Sequence, residues 1–576
     1  MQQSTRREVL STLKPKRIDT SVPDREIDIM PEAREWSALD RNLSGLFAIA
    51  DLYDRHPNLD QDKNGKIKRT EVYAALPSQE YKGDDAVALA TFRMHFKDIT
   101  GFADEGEKRD VTRDDLKEMA RFSRLKGMKM IAEGAEIYRT LDRNGDGKLT
   151  REELKEQIAA CKDGSASKKA VEAMLKDFEI IGGKNARFIT RDQIKEYVAR
   201  RLSPQQEQRL DSIARTFQER RARLQGANEN LFSDSTPSRS VKGEAIKQGK
   251  VGDCWLISAC SSFFEKNPAA VDKFFKENKD GTVTVTFPYK YKGENLKATI
   301  AKPSQAELAL YATTGKYGTY GAMAEKALGE IFKQHPELKG ELTGVERNRG
   351  NGAPVQEFLE ASRKPFALEL LTGEKAKTVD LRSLSKEQIH HILSLSANAV
   401  STCDSDGHWP KVAGRQPVAD KGAAKGASGA GSNASSDNPS QREHPKTPPE
   451  DSPLLSGIGD VSDRPIDRPE HIPQPFPQLV PKPWDVDEDE EEAGDKKADA
   501  HEFAILHYDE KNKMVTVRNP WGFGELTDEH GQPLDGKDDG VMRLTLDQFV
   551  KYFHHMSLPE RVIERGLLAE KQARGK

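Results

Sequence analysis

Residues 248–264 are QGKVGDCWLISACSSFF, and the other motifs of the chain are best understood relative to this segment. Its Gly252-Asp253 pair predicts a turn, and the apolar run after it predicts a helix that begins at or near Cys254. The positive end of a helix favours the thiolate over the thiol, and the thiolate is the nucleophile. Gln248, across a glycine-containing turn, is a candidate donor to an oxyanion. A cysteine buried in a core helix explains this segment alone equally well.

The composition predicts a chain of several domains that is folded only in part. Its 576 residues carry a formal charge of −4, which gives no argument for binding nucleic acid or a membrane surface. Hydrophobic residues make up 35% and charged residues 32%, so we expect some disordered segments. Four cysteines are too few for a disulfide framework, and no signal peptide or membrane-spanning run is evident. We therefore expect a cytoplasmic protein.

Residues 60–71, DQDKNGKIKRTE, have the chemistry of a calcium-binding loop. Oxygen ligands at loop positions 1, 3, 5, 7 and 12 come from Asp60, Asp62, Asn64, Lys66 through its carbonyl, and Glu71. Gly65 supplies the sharp turn, and Ile67 is the apolar residue that pairs with a partner loop. The alternative is a polar turn between two helices.

Residues 142–153, DRNGDGKLTREE, match the same pattern more closely. The ligands are Asp142, Asn144, Asp146, Lys148 through its carbonyl, and Glu153, with Thr150 adding a contact directly or through water. Gly147 and Leu149 occupy the turn and pairing positions. Two loops of one type predict Ca²⁺ as the bound cofactor.

Such loops resemble EF-hands, which usually work in pairs because a single helix–loop–helix unit leaves its apolar face exposed. Residues 104–115 and 182–193 fit the frame but lack part of the ligand set, so we predict partners that pack without binding calcium. This gives an all-α region with one pair over 35–122 and a second over 123–200.

The remaining chain divides by composition and pattern. We predict a disordered arm at 1–34, a solvated linker helix at 201–228, core segments at 229–412 and 499–560, a disordered insert at 413–498 and a polar tail at 561–576. Within the core, we predict that the cysteine helix stops at Asn267-Pro268 and that 282–287 is a strand. Helices are predicted at 323–332 and 354–361, and 392–400 as a buried strand or the approach to one. The acidic run 485–492 is a solubilising insert, a weak calcium collector or a mask for a cleft.

Residues 501–522 predict a β-hairpin with a turn at 509–513. If the turn is centred at residue 510 or 511, His501 falls opposite residues 519–521 and beside Asn519. An imidazole acts as a general base, and an amide oxygen fixes its orientation and tautomer. The alternative is a surface hairpin with an incidental histidine, of which His507 is an example.

A cysteine at a helix start, an upstream glutamine, and histidine and asparagine on a distal hairpin are together the papain-like arrangement. QGKVGDCWLISA closely resembles the calpain signature, as do RNPWG at 518–522, DDG at 538–540 and AEKA at 324–327. The resemblance covers about residues 235–555. It implies an α+β fold: a papain-like two-lobed calpain protease core, here preceded by an all-α EF-hand domain.

By this resemblance Cys254 is the nucleophile, His501 the base, Asn519 its orienter and Gln248 the oxyanion donor. Trp521 shields the hydrogen bond between His501 and Asn519 from water. The reaction is peptide-bond hydrolysis through an acyl-enzyme, and the partners are protein substrates and calcium. The expected activity is limited proteolysis by a calcium-dependent cysteine endopeptidase.

The sequence departs from the family at its core calcium sites. Ala245 replaces a usual acid of the first site. Glu525 and Asp539 match positions of the second site, but Val541 replaces another acid. Because the calcium loops here precede the core, we expect calcium control to reside in them. The alternatives are a calcium-binding scaffold with an inactive core and an acyl transferase, although nothing in the sequence indicates an acceptor other than water.

Overall fold

A computed structural model describes residues 31–103, 110–338, 355–359, 365–405, 501–526, 533 and 536–574. All of them belong to a compact unit formed by residues 1–413 and 496–576; the other unit, 414–495, lies outside the described residues. The described part combines helices with antiparallel sheets, so the predicted α+β class is confirmed. None of its helices has both the length and the apolar composition needed to cross a membrane. The predicted arm at 1–34, except its last residues, lies outside the described residues, as does the insert.

The described residues between 31 and 225 form helices, two short β-pairs and the turns that connect them. The helices are α1 (Pro31–Ala50), α2 (Leu52–Arg55), α3 (Arg69–Ala75), α4 (Asp84–Met94), α5 (Phe96–Thr100), α6 (Arg113–Glu133), α7 (Ala135–Leu141), α8 (Arg151–Ala160), α9 (Ala166–Lys176), α10 (Phe178–Gly182), α11 (Arg191–Ala199) and α12 (Pro204–Gln225). The strands are β1 (Lys66–Ile67), β2 (Val111–Thr112), β3 (Lys148–Leu149) and β4 (Ile189–Thr190). Ile67 pairs with Val111 and Leu149 with Ile189, so each predicted loop is joined to a partner loop through its apolar position.

Helix α6 runs through the predicted boundary at 122/123. A capping box between Thr112 and Asp115 starts it, and it ends before Gly134. Within it, Gly127 allows a close approach, because a side chain there would meet Ala170 and Leu43 at 2.7 and 2.9 Å. Helices α1 and α9 therefore pack closely on α6, and the two helical pairs share one continuous helix.

Helix α12 is not a solvated linker. Its predicted apolar residues Leu210, Ile213 and Phe217 are buried. A side chain at Gly45 of α1 would lie 2.3 Å from the Phe217 ring, so the two helices are in direct contact. The hydroxyl of Thr216 is hydrogen-bonded to His95 at 2.8 Å. The helix is thus part of the helical region, because its apolar stripe is covered there.

The described residues between 229 and 574 form two antiparallel sheets and the helices that cover them. The helices are α13 (Pro237–Ser240), α14 (Cys254–Lys266), α15 (Val271–Phe274), α16 (Gln305–Leu310), α17 (Tyr320–Gln334), α18 (Phe366–Thr372), α19 (Lys386–Leu395), α20 (Leu546–Tyr552) and α21 (Glu560–Arg574). The strands are β5 (Phe275–Glu277), β6 (Thr282–Tyr291), β7 (Glu294–Ala301), β8 (Ala376–Asp380), β9 (Thr402–Asp404), β10 (Glu502–Asp509), β11 (Met514–Arg518), β12 (Val541–Thr545) and β13 (His555–Pro559). One sheet has the order β5-β6-β7 and the other β12-β11-β10-β9-β13-β8.

The two sheets belong to different hydrophobic cores. The six-stranded sheet shares a buried cluster with α19, α20 and α21. The three-stranded sheet belongs to a second cluster, which contains α14 and α17 and continues into the helical region. The cysteine helix and the hairpin with His501 therefore lie in parts of the chain that are stabilised by separate cores.

Three predictions for individual elements were right only in part. Residues 392–395 end helix α19, because Ile389, Ile392 and Leu393 lie on one helical face behind a Ser385 capping box. The residues that follow lead into β9, so of the two predicted alternatives the approach to a strand is the one that holds. The segment around 354–361 forms a 3₁₀ helix at Val355–Leu359. The predicted polar tail forms α21, whose Val562 is buried against the six-stranded sheet's core.

Candidate functional site

Cys254 is the first residue of helix α14 and is partly exposed. Two serines on the same helical face hold this helix against β10. Ser258 donates its hydroxyl to the carbonyl of Glu502 at 2.9 Å, and Ser262 donates to that of Ile505 at 3.0 Å. Since Cys254 lies one turn before Ser258, the start of α14 is directed toward the first residues of β10, next to which His501 lies.

His501 and Asn519 form a hydrogen bond of 3.0 Å between Nε2 and Oδ1. The orientation of the Asn519 amide is fixed, because its Nδ2 donates to the Gly524 carbonyl at 3.1 Å and its Oδ1 accepts the Trp521 N–H at 3.1 Å. An amide oxygen only accepts, so Nε2 of His501 carries the proton. The lone pair is then on Nδ1, and this is the tautomer required of a base whose reacting nitrogen is Nδ1.

The hairpin brings these residues together with a register close to the predicted one. Ala504 pairs with Arg518 and Ile505 with Val517, and the pairing shifts by one residue before His507. Extending the first part of this register places residue 501 opposite residue 521. The predicted range of 519–521 is therefore confirmed, and the bulge is the one feature of the hairpin that the alternating pattern did not predict.

Trp521 covers one face of the candidate base. Its ring centroid lies 4.2 Å from that of His501, with the two planes inclined by 31°. Phe503 approaches the same imidazole at 4.7 Å. Asn519 is fully buried beneath them. These apolar rings limit the access of water to the hydrogen bond between His501 and Asn519.

Gln248 is buried and joins the two parts of the site. Its backbone N–H donates to the Pro520 carbonyl at 2.8 Å, immediately after Asn519. Its Nε2 donates to the Val251 carbonyl at 2.6 Å. A carboxamide nitrogen carries two protons, so one N–H is left for a further acceptor. The nearby Arg518 guanidinium strengthens the same junction by donating to the Ile246 carbonyl at 2.9 Å.

The other cysteine of α14 differs from Cys254 in its surroundings. Cys260 is buried, and burial raises the pKa of its thiol far above the ordinary value. Because the thiolate is the nucleophilic form, Cys260 is unsuited to catalysis. Cys403 is buried in β9, and Cys161 lies in the helical region at the end of α8. The structure therefore distinguishes Cys254 from the other three cysteines.

Two buried carboxyl groups next to Cys254 were not assigned a role from the sequence. Asp253 and Glu325 are fully buried, and Glu325 accepts the Ala312 N–H at 2.9 Å. Burial raises the pKa of Glu325 to about 7. Burial and the neighbouring Glu325 raise the pKa of Asp253 as well. The pair retains protons well above the usual range of carboxyl groups, and the AEKA motif around Glu325 was the sequence signal for it.

We expect Glu325→Gln to stabilise the protein at alkaline pH. The folded-state pKa of Glu325, about 7, lies above the ordinary value of 4.5 for a glutamate side chain. Its contribution to stability is therefore fully present below pH 4.5 and is lost as pH rises through 7. An amide remains neutral and keeps the acceptor for Ala312, so the free energy of unfolding should rise by about 2–3 kcal/mol near pH 8 and change little near pH 5. Urea denaturation at both pH values, with the partly exposed Glu330→Gln on the same helix as control, measures this. An equal change at both pH values would contradict it.

The carboxylates of loop 60–71 converge. The ligand oxygens of Asp60, Asp62 and Glu71 all lie within 4.8 Å of one another. Asp60 is buried, which opposes its ionisation, but hydrogen bonds from the Tyr53 hydroxyl and from backbone N–H groups lower its pKa. Asn64 turns its Oδ1 to the Lys66 N–H at 2.8 Å. Hard oxygen ligands gathered around a buried carboxylate fit a calcium ion.

Loop 142–153 has the same turn with more separated acids. Asp142 accepts the Gly147 N–H at 2.8 Å, and Asp146 accepts the Lys148 N–H at 2.9 Å. Glu153 accepts the Thr150 hydroxyl at 2.8 Å, within its own capping box. Among the described residues, only Asp60, Asp62 and Glu71 form a group of three acids within 4.8 Å. The acids of the first loop thus lie closer together, whereas the second loop matches the sequence pattern more closely. Asn144 keeps its position in the loop, with Oδ1 accepting the Asp146 N–H at 2.9 Å.

The two acids considered for a core calcium site have structural partners. Glu525 is buried and accepts the N–H groups of Asp539 and Gly540 at 2.8 and 2.7 Å. Asp539 accepts the Val541 N–H at 3.1 Å. Since Gly540 in turn accepts the Asn519 N–H at 2.7 Å, Glu525 supports the backbone beneath Asn519.

Comparison with known proteins gives no assignment. No protein-family model matches the chain, and no curated protein matches it significantly.

Proposed function

We propose that the protein is a calcium-regulated, intracellular cysteine endopeptidase of the calpain type, with a papain-like core preceded by an EF-hand domain. One observation carries the proposal: the Asn519 amide fixes His501 as the Nε2–H tautomer at the end of the strand to which the Cys254 helix is hydrogen-bonded. A buried amide held from both sides, whose oxygen accepts from a partly exposed imidazole, is an arrangement suited to general-base catalysis.

The proposed reaction begins with transfer of the Cys254 thiol proton to Nδ1 of His501. The thiolate attacks the carbonyl carbon of the scissile peptide bond, and the resulting oxyanion accepts hydrogen bonds from Gln248 Nε2 and the Cys254 backbone N–H. Asn519 Oδ1 holds the imidazolium through Nε2–H. The imidazolium then protonates the leaving amine, the C–N bond breaks, and a thioester remains. His501 deprotonates a water molecule, which hydrolyses the thioester and restores the thiol.

Calcium is proposed to bind at loops 60–71 and 142–153. The donor set of the first loop fits the ion best, with three converging carboxylates and the buried Asp60 at its centre. When bound, calcium would supply the positive charge that offsets the mutual repulsion of these carboxylates. The substrates are proposed to be proteins cleaved at a limited number of extended sites.

The test uses the full-length protein in two separate assays, labelling with an epoxysuccinyl probe and cleavage of casein by unlabelled protein. Both are measured as a function of free calcium. We expect labelling at Cys254 that increases with calcium. Full activity in the presence of a chelator would refute calcium regulation while leaving the protease. No labelling at saturating calcium would refute the protease and favour a calcium-binding scaffold.

We expect Glu71→Gln to weaken calcium activation more than Glu153→Gln. An amide cannot bind calcium through two anionic oxygens, so the calcium concentration for half-maximal labelling should rise by about tenfold or more for Glu71→Gln. The effect of Glu153→Gln should be smaller, because its loop acids are less convergent. The two variants control for each other, because each changes the glutamate that ends its loop and belongs to the capping box of the helix that follows. A larger effect of Glu153→Gln would contradict the ranking.

A further inference from the structure

Arg223 contacts the segment that carries the proposed oxyanion donor. Its Nη2 donates to the carbonyls of Lys247 and Gln248, each at 3.1 Å, and to that of Tyr311. One guanidinium therefore holds three backbone carbonyls, two of which belong to the Gln248 loop, defined here as residues 247–250. Charge-assisted hydrogen bonds of this kind are stronger than neutral ones and fix geometry.

The Gln248 loop is also paired with the backbone that follows α16. Lys250 N–H donates to the Leu310 carbonyl at 2.9 Å, and Lys247 and Thr313 exchange backbone hydrogen bonds of 2.8 and 3.0 Å. A side chain at Gly249 would lie 2.2 Å from the Tyr311 carbonyl carbon, so the two backbones touch. Because the two segments are hydrogen-bonded and in direct contact, a displacement of residues 310–313 must also displace the Gln248 loop.

The other end of α16 is attached to the segment that follows α3, the helix that leaves the first calcium loop. The Ser304 hydroxyl, which caps α16, donates to the Leu76 carbonyl at the end of α3. Gln305 accepts the Gly83 N–H at 2.7 Å. Helix α3 contains Glu71, the last residue of the loop. Since α16 has six residues, only about 9 Å of helix separates this attachment from the Gln248 loop.

Helix α12 ties Arg223 to the same helical region. Besides its contacts with α1, it forms ion pairs from Asp211 to Lys126 at 2.6 Å and from Arg221 to Asp84 at 3.0 Å. Asp84 is the first residue of α4, which follows the Gly83 contact to Gln305. The Gln248 loop therefore lies between two elements, α12 and α16, that are both bonded to the first helix–loop–helix pair.

We propose that Arg223 is a positioning residue that couples calcium at loop 60–71 to the Gln248 loop. The proposal rests on the proposed protease function and specifies its regulation. In sensor EF-hands, calcium binding changes the angle between the helices that flank the loop. A shift of α3 reaches residues 310–313 through α16, and Arg223 keeps the Gln248 carbonyl in register with that shift. Because coupling is reciprocal, a ligand on Cys254 must in turn change the affinity for calcium.

The experiment compares epoxysuccinyl labelling rates of full-length wild type, Arg223→Met and Arg223→Lys in chelator and in saturating calcium. The wild-type rate should rise about tenfold or more with calcium, and the ratio for Arg223→Met should fall below about three. Arg223→Lys should be intermediate, because an ammonium group reaches fewer carbonyls. Arg209 lies on the same helix as Arg223 and donates to the Gly101 carbonyl. Arg209→Met removes this contact, is the matched control and should keep the wild-type ratio.

Calcium affinity before and after alkylation of Cys254, measured by titration calorimetry, gives a second readout. Alkylation should tighten calcium binding in wild type and leave it unchanged in Arg223→Met. A rate lowered by one factor at every calcium concentration would make Arg223 merely structural and overturn the proposal. If calcium accelerates labelling of the wild type and the ratio of rates in both Arg223 variants is the same as in the wild type, the proposed role of Arg223 is overturned and the proposed protease function is not. If the wild type is not labelled at all, the proposed protease function is overturned. If Arg223→Met fails to fold, the ratio for Arg223→Lys decides.

Discussion

Cys254→Ala is expected to abolish both casein cleavage and epoxysuccinyl labelling. The side chain lies at the first position of α14, where the helix dipole favours an anion, and it is partly exposed. No other cysteine of the chain combines these properties. Loss of the nucleophile leaves only the oxyanion donors and the binding energy, so cleavage should drop by about 10⁴-fold or more.

Cys260→Ala is the matched control, because Cys260 lies on the same helix six residues later. It is buried, and burial raises the pKa of its thiol, so it should contribute packing alone. We expect a loss of stability of about 1 kcal/mol and wild-type labelling per folded molecule. Retained labelling in Cys254→Ala, or its loss in Cys260→Ala, would show that the nucleophile was assigned to the wrong residue.

The local parts of the site could be predicted from the sequence. A helix that begins at Cys254 follows from a turn dipeptide before an apolar run, and the structure starts α14 at that residue. The alternation around residues 503–517 predicted the hairpin and the approach of His501 to Asn519. In a hairpin, one turn joins strands that are near in sequence, so counting residues outward from the turn is sufficient to predict which residues lie opposite each other.

Long-range contacts could not be predicted in this way. Arg223 has the sequence context of a solvated helix charge, and only the tertiary structure brings it to the carbonyls of Lys247 and Gln248. The burial of α12 could not be predicted for the same reason, since an apolar stripe in the sequence does not indicate which surface covers it. The spacing of the loop acids could not be predicted either, since the three acids of loop 60–71 lie within 4.8 Å of one another although Glu71 and Glu153 both belong to capping boxes. Which loop binds calcium more tightly stays a prediction.

Asn519→Ala is expected to reduce kcat by about 10²- to 10⁴-fold with little change in KM. Asn519 contacts the imidazole and two backbone groups, so its removal affects the base without removing a group proposed to bind substrate. Without the acceptor at Nε2, His501 is free to take the other tautomer or to rotate about its side-chain bonds. Either change would remove the Nδ1 lone pair that the proposed mechanism uses to take the Cys254 thiol proton.

The same substitution leaves the Trp521 N–H and the Gly524 carbonyl without their side-chain partner, which should cost about 1–3 kcal/mol of stability. Rates must therefore be compared at a temperature at which circular dichroism shows both proteins folded. Asn512→Ala, in the exposed turn of the same hairpin, removes a 2.7 Å hydrogen bond to Asp509 and should leave kcat unchanged. A rise in KM at constant kcat for Asn519→Ala would instead assign Asn519 to substrate binding, because a residue that only orients the base acts after the substrate is bound.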